Sequence, residues 1–186
     1  MNVIETKLKG CFILEPRIIG DSRGYFFESY NQASFAELTG HQVNFVQDNQ
    51  SFSSRGVIRG LHAQAGEFAQ AKLVRVLQGE VVDVAVDARP DSPTFGQHVA
   101  VHLSAENKKQ LFVPRGFLHG FVVLSEVAEF FYKCDNFYKK DAEWGVIFND
   151  ETLGIDWGID AEELIISEKD QILPTFNEAI ASLKTT

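Results

Sequence analysis

Two apolar runs, at residues 72–77 and 81–87, are parted only by Gln78-Gly79-Glu80. A link that short, centred on a glycine, reads as a hairpin and leaves no room for a crossover helix. In the second arm Val82, Val84 and Val86 share one face, while Asp83 and Asp87 point the other way, because strand side chains alternate. Further strand-like stretches rich in aromatic and branched residues follow at close spacing: residues 11–19, 25–30, 99–103, 110–113, 120–124 and 129–133. Gly20-Asp21-Ser22-Arg23-Gly24 reads as a turn between the first two, and Val43, Phe45 and Gln47 begin another alternation. Residues 32–38 suit a short helix, with Asn31 as N-cap and Gly40 as stop, and residues 176–183 read as a terminal helix. The pattern predicts an all-β, antiparallel sandwich or barrel of about eight to ten strands with a few short peripheral helices. No repeat, linker or βαβ rhythm interrupts it, so residues 1–186 are expected to form a single domain. Strand pairing does not follow from periodicity, and jelly roll, sandwich and open barrel stay open at this level.

Charge narrows the partners. The 186 residues carry 17 Lys and Arg against 26 Asp and Glu, a formal charge of −9. A chain this acidic is not expected to bind nucleic acid or a membrane surface, although a few converging cations can still hold a small anion. No apolar run approaches a membrane span, and residues 1–9 mix Glu5, Lys7 and Lys9 with apolar residues and so do not read as a signal peptide. Cys11 and Cys134 stand far apart and read as reduced thiols. A cytoplasmic location is expected.

The common nucleotide-loop and nucleophile-elbow motifs are absent. His98 and His102, on a strand reading, share a face but lie about 13 Å apart, too far to hold one metal ion. They read as surface or dimer-facing residues. His62 ends Arg59-Gly60-Leu61-His62 at a strand edge, and His119 sits between glycines in Arg115-Gly116-Phe117-Leu118-His119-Gly120. Glycines there suggest close backbone approach beside a ligand, and imidazole is the usual titrating group near neutral pH. A lone histidine is more often structural than catalytic, and the alternative for His119 is a tight turn with a half-buried ring. Lys72 opens an apolar strand and is either a snorkelling edge residue or an inward charge, and Tyr132 shares the face of Phe130.

Taken together, the order is more informative than any one residue. Arg23, Glu28, Gln47-Asp48-Asn49, Arg59-Gly60-Leu61-His62, Lys72-Leu73-Val74-Arg75, Ser92-Pro93-Thr94-Phe95-Gly96, Leu103-Ser104-Ala105-Glu106-Asn107, Pro114 to Gly120, Ala128 to Lys133 and Gly154-Ile155-Asp156-Trp157 follow in register. This resembles the dTDP-4-dehydrorhamnose 3,5-epimerase family of dTDP-L-rhamnose synthesis, over residues 10–174. The resemblance implies a cupin-type antiparallel β-jelly roll, a homodimer, and no metal or organic cofactor. It implies His62 as general base, Asp170 as its carboxylate partner, Tyr132 as the opposing acid and Lys72 as the cation beside the keto oxygen. It implies that Arg23, Phe26, Glu28, Gln47, Asn49, Arg59, His119, Glu143 and Lys169 hold a dTDP-4-keto-6-deoxyhexose, with Tyr138 stacking on it. Phe26 and Glu28 would share a strand that crosses to the partner's pocket.

Such groups suit the reaction. Protons alpha to a ketone leave only when the enolate is stabilised, and epimerisation needs a base on one face and a donor on the other. Two departures from the family pattern stand out. Ala63 replaces a usual aromatic after the base, which could widen the pocket and leaves inversion at C3 or C5 alone as an alternative. Gly66-Glu67-Phe68 replaces a proline-containing loop. A metal-dependent cupin enzyme and a non-catalytic sugar-binding module are the remaining alternatives.

Overall fold

The computed structural model of the protein describes residues 1–183. Short strands β1 (Asn2–Glu5), β2 (Phe12–Glu15), β3 (Ile19–Asp21) and β4 (Gly24–Phe26) come first, followed by helix α1 (Gln32–Thr39). Eight strands follow: β5 (Gln47–Ser54), β6 (Ile58–Gln64), β7 (Lys72–Gln78), β8 (Glu80–Asp87), β9 (His98–Ser104), β10 (Gln110–Val113), β11 (Phe117–Val123) and β12 (Val127–Cys134). Strand β13 (Glu143–Gly145) and helices α2 (Glu168–Gln171) and α3 (Phe176–Leu183) complete the described chain.

Two sheets result, ordered β1-β2-β10-β7-β12-β5 and β13-β6-β11-β8-β9, with β3-β4 as a separate ribbon. Within β5 to β12 the antiparallel pairs are nested: β5 with β12, β6 with β11, β7 with β10, and β8 with β9. That nesting is the jelly roll, and it is the arrangement cupins share.

The nesting overturns one sequence expectation. Residues 72–77 and 81–87 do not form a hairpin; β7 and β8 belong to different sheets. Gly79 (φ 77°) turns the chain from one sheet to the other, packed so closely that a Cβ would lie 2.0 Å from the Val127 carbonyl oxygen. A short glycine link suits a corner as well as a hairpin, and both arms find better partners elsewhere. Boundaries also moved: the run at residues 11–19 is a strand over Phe12–Glu15 and again from Ile19, where β3 begins, and β4 ends at Phe26. Helix α1 begins and stops as expected, with Asn31 accepting from the Ser34 N–H and Gly40 in the left-handed region.

Apolar packing forms three layers. Between the sheets lie Val74, Val81, Ala85, Leu103, Phe121 and Phe130, among others. Helix α3 and Trp157 cover the outer face of the five-stranded sheet against Val84, Val86 and Leu118. Phe35 of α1 covers part of the six-stranded sheet against Phe12, Leu73 and Phe112. Both faces of β8 are therefore buried: Val84 and Val86 face the C-terminal segment, and Asp83 and Asp87, both fully buried, face inward between the sheets.

Candidate active site

A cleft of about 620 Å³ opens between the two sheets, bordered by the segment from Ile165 to Asp170. Arg59 and His62 reach it from β6, three residues apart, although a regular strand would send them to opposite faces. The reason is a bulge: His119 pairs with His62 and Phe121 with Arg59, so β6 spends three steps where β11 spends two. His62 is thus inside a strand between β11 and β13, not at a strand edge.

His62 Nε2 lies 2.6 Å from Asp170 Oδ1, and Asp170 is buried. The two are 108 residues apart. They meet because Val57 and Ile165 form a parallel bridge, backed by Ile58 N–H to Ile165 O at 3.1 Å. Ser167 then caps α2, accepting from the Asp170 N–H, and aims the carboxylate inward.

Opposite, β7 and β12 of the six-stranded sheet supply Lys72 and Tyr132, with the Lys72 ammonium 5.7 Å from the Tyr132 ring centre. Burial pushes the Tyr132 phenol up to about 12, so it stays protonated at neutral pH. Burial pulls the Lys72 ammonium below the ordinary lysine range, opposed by Cys134 if ionised and by the carboxylates Asp83 and Glu143. Lys72 is therefore an inward charge and not a snorkelling one. His119 is also buried, with Nε2 3.0 Å from both oxygens of Asp83. The inward-facing Asp83 had drawn no role from the sequence. A carboxylate alternating with valines was the available signal.

At the mouth, Asn49, Arg59 and Lys169 line the cleft, and Arg59 Nε donates to Ser53 Oγ at 3.1 Å. Gln47 donates to Asn49 Oδ1 at 3.0 Å and accepts from the Tyr138 N–H at 3.3 Å. The Tyr138 hydroxyl donates to Glu143 at 3.4 Å, and Glu143 also pairs with Lys169. Asn49, Gln47, Tyr138, Glu143 and Lys169 thus form one continuous polar chain, with the Arg59–Ser53 pair beside it. Arg23, Phe26 and Glu28 lie elsewhere: Arg23 pairs with Asp21 on the β3–β4 ribbon, Phe26 is 70% exposed, and Glu28 accepts from Asn31.

Ala63 points away from the cleft, into the layer containing Leu61, Val146 and Trp157. The sequence expectation that it could widen the pocket beside His62 is thus not met, since Ala63 and His62 occupy opposite faces of β6. Gly66–Phe68 forms a short 3-10 turn that is likewise not part of the cleft. His98 and His102 sit on β9, where His102 pairs with Glu80 at 2.6 Å. Among the described residues no group of three or more His, Cys, Asp or Glu is arranged to hold a metal ion. None of the described helices is long and apolar enough to cross a membrane.

Comparison with known proteins agrees with this geometry. A dTDP-4-dehydrorhamnose 3,5-epimerase from Salmonella typhimurium is 55% identical over 180 residues, covering 97% of this chain and 98% of its own. The enzyme of that name from Elizabethkingia anophelis has a crystal structure matching with a TM-score of 0.93 at 58% identity, over 96% of this chain and 97% of that one. A dTDP-6-deoxy-D-glucose-3,5-epimerase from Legionella pneumophila, crystallised with dTDP-4-keto-L-rhamnose, matches with a TM-score of 0.93 at 48% identity, over 98% of this chain and 96% of that one. Residues 5–178 fit the profile of one family, and on all these grounds the chain belongs to the dTDP-4-dehydrorhamnose 3,5-epimerase family.

Proposed function

We propose that the chain inverts C3 and C5 of dTDP-4-dehydro-6-deoxy-D-glucose to give dTDP-4-dehydro-L-rhamnose, acting as one catalytic domain. The observation that carries the reading is the placement of His62 and Tyr132 on opposite sheets, both lining one cleft with Lys72. A sugar ring between them would meet a base on one face and a proton donor on the other. The Legionella relative's complex with dTDP-4-keto-L-rhamnose supports a double inversion.

In this reading His62 removes the proton alpha to the C4 ketone, and Asp170 stabilises the imidazolium that forms. The electron pair moves onto the C4 oxygen, where the fixed Lys72 cation offsets the charge; preorganised stabilisation of this kind is usually the largest catalytic contribution. As the enolate collapses back to the ketone, Tyr132 protonates the same carbon from the other face; its phenolate then regains a proton from solvent and the His62 imidazolium releases one, which resets both groups. The second centre follows by the same steps. Arg59, Asn49 and Lys169, with Gln47, Tyr138 and Glu143 behind them, hold the nucleotide, with the cations on the diphosphate.

Arg23, Phe26 and Glu28 take their binding role across a homodimer, each ribbon serving the partner's cleft. Two observations support this. Tyr25, Phe26 and Phe52 are each more than 60% exposed. Arg75, whose Nε is buried with no hydrogen-bond partner among the described residues, stands between the Phe27 and Phe131 rings. Such a face is costly to leave uncovered. A cytoplasmic setting is supported by the two buried, unpaired thiols.

The deciding experiment is incubation with dTDP-4-keto-6-deoxy-D-glucose in deuterated water. Label at both C3 and C5 of the product is expected. Label at one carbon would narrow the enzyme to a single centre, and label at neither would reject the reading.

A further inference from the structure

His62 and His119 are direct partners across β6 and β11, and each is tied to its own buried carboxylate. The first pair is accounted for by the proposed proton removal. The second, His119 with Asp83, has no assigned purpose, and Asp83 is unusual for a buried carboxylate. It is fully buried, yet the one hydrogen-bond partner of its carboxylate among the described residues is His119 Nε2.

Asp87 shows what a structural carboxylate looks like on the same face of the same strand. It is just as buried, but takes bonds from the Arg89 guanidinium at 2.7 Å, Ser92 at 2.5 Å and Thr94 at 2.6 Å, and so is saturated. Asp83 has none of these. Leaving a buried carboxylate half satisfied is costly, so the charge must be met otherwise. The nearby cation is Lys72, within electrostatic reach of Asp83. The cysteine facing Lys72, Cys134, is pushed up by burial and is a neutral thiol at neutral pH, and Glu143 is engaged by Lys169 and Tyr138 at the rim. His119 offers a further clue. Its Nε2 faces the carboxylate, and no protein group among the described residues bonds its Nδ1.

We propose that Asp83 is a positioning residue for the epimerisation: one buried carboxylate fixes His119 with Nε2–H toward the protein and Nδ1 free for the sugar, and serves as counter-charge to Lys72. A carboxylate behind a histidine sets its tautomer, and removing such a carboxylate from a catalytic histidine can cost orders of magnitude in rate. When negative charge develops on the C4 oxygen, Lys72 and the oriented His119 both lie in the cleft to meet it. Besides Asp83, Lys72 and His119, the groups facing this point are Arg59 and His62 from β6, Tyr132 and Cys134 from β12, and Glu143 from β13.

This inference rests on the epimerase reading, and its test separates the two. Asp83→Asn keeps size and shape but removes the charge and allows the wrong tautomer. Expected are a fall in kcat of at least tenfold, KM for the dTDP-sugar within about threefold, and an alkaline limb of the kcat/KM profile displaced to lower pH. A folded variant with kcat within threefold of the parent, or one that loses KM alone, overturns the proposal while deuterium uptake by the parent leaves the epimerase reading standing. A parent that takes up no deuterium rejects both. If Asp83→Asn does not fold, ¹⁵N-histidine spectra of the parent, with His119 assigned by a His119→Gln variant, decide instead. An Nε2–H ring with unprotonated Nδ1 supports the proposal, and an Nδ1–H ring overturns it.

Discussion

Gly60 and Gly120 pack backbone against backbone where β6 meets β11: a Cβ on Gly60 would lie 2.6 Å from the Gly120 Cα, and one on Gly120 would lie 2.7 Å from the Arg59 carbonyl oxygen. Gly60 also has a φ of +117°, a conformation side chains rarely adopt. This contact holds the bulge that turns both Arg59 and His62 into the cleft. Gly60→Ala is therefore expected to cost about 2 kcal/mol or more in stability and to lower kcat by moving His62. Denaturant titration and steady-state kinetics check it; an alanine variant as stable and active as the parent would show that the strands part freely here.

His62→Ala should abolish turnover and leave the fold intact, since the side chain borders a cleft and no core cavity is opened. General base contributions run to about 10²–10⁴-fold. Asp170→Asn should lose activity too, with the circular dichroism spectrum unchanged. Turnover within a few-fold of the parent in His62→Ala would remove His62 from the mechanism.

Tyr132→Phe separates the two halves of the reaction. If Tyr132 only packs, losing one hydroxyl should be nearly silent. As the donor opposite His62, it should leave solvent deuterium exchange into the starting sugar and suppress inversion by roughly a hundredfold. Mass spectrometry reads the first and product NMR the second. Inversion at the parent rate would assign that proton to water or another group.

The pH dependence of activity follows from Lys72. Burial lowers its pKa, so its cation is lost at a lower pH than for an exposed lysine, and activity should fall on the alkaline side before ordinary lysines titrate. The Tyr132 phenol, at about 12, remains protonated throughout that fall. Residual activity in Lys72→Arg should show no such limb, because guanidinium keeps its charge. A limb unchanged in that variant would belong to another group.

Asp87 predicts a pH-dependent stability. Burial pushes its carboxyl up, but the bonds from Arg89, Ser92 and Thr94 outweigh that and leave it at about 2. A depressed carboxylate stabilises the fold above its unfolded pKa of about 3.9, and the contribution fades as pH falls toward 2. Asp87→Asn should therefore destabilise by about 2 kcal/mol at pH 7 and by progressively less at pH 4 and below. A deficit that stays constant with pH would mean packing, not charge, sets the cost.

Sedimentation equilibrium should give the mass of two chains at micromolar concentration, and Phe52→Glu should shift it toward one. Phe52 is outward and 61% exposed on the edge strand β5, so the change does not disturb the core of one chain. A fully active monomer would contradict the shared-cleft reading of Arg23, Phe26 and Glu28.

Local chemistry was legible in the sequence. Alternation announced most of the strands, Asn31 and Gly40 bounded α1, and the paired glycines near His62 and His119 signalled the close approach that the structure shows. The family resemblance also pointed to Asn49, Arg59, His62, Lys72, His119, Tyr132, Lys169 and Asp170, all of which border the cleft. Partnership was not legible. Whether the glycine link at Gly79 made a hairpin or a corner depended on which strands competed for β7 and β8, a free-energy comparison over distant segments. The bulge in β6, which decides that Arg59 and His62 share a face and Ala63 does not, comes from its register against β11. The His62–Asp170 pair spans 108 residues and exists only because Val57 and Ile165 bridge. Alternation placed Asp83 on the face opposite the valines and said nothing of its burial. Only the C-terminal segment, by covering the valine face as well, buried both sides of β8 and turned that carboxylate into an interior charge.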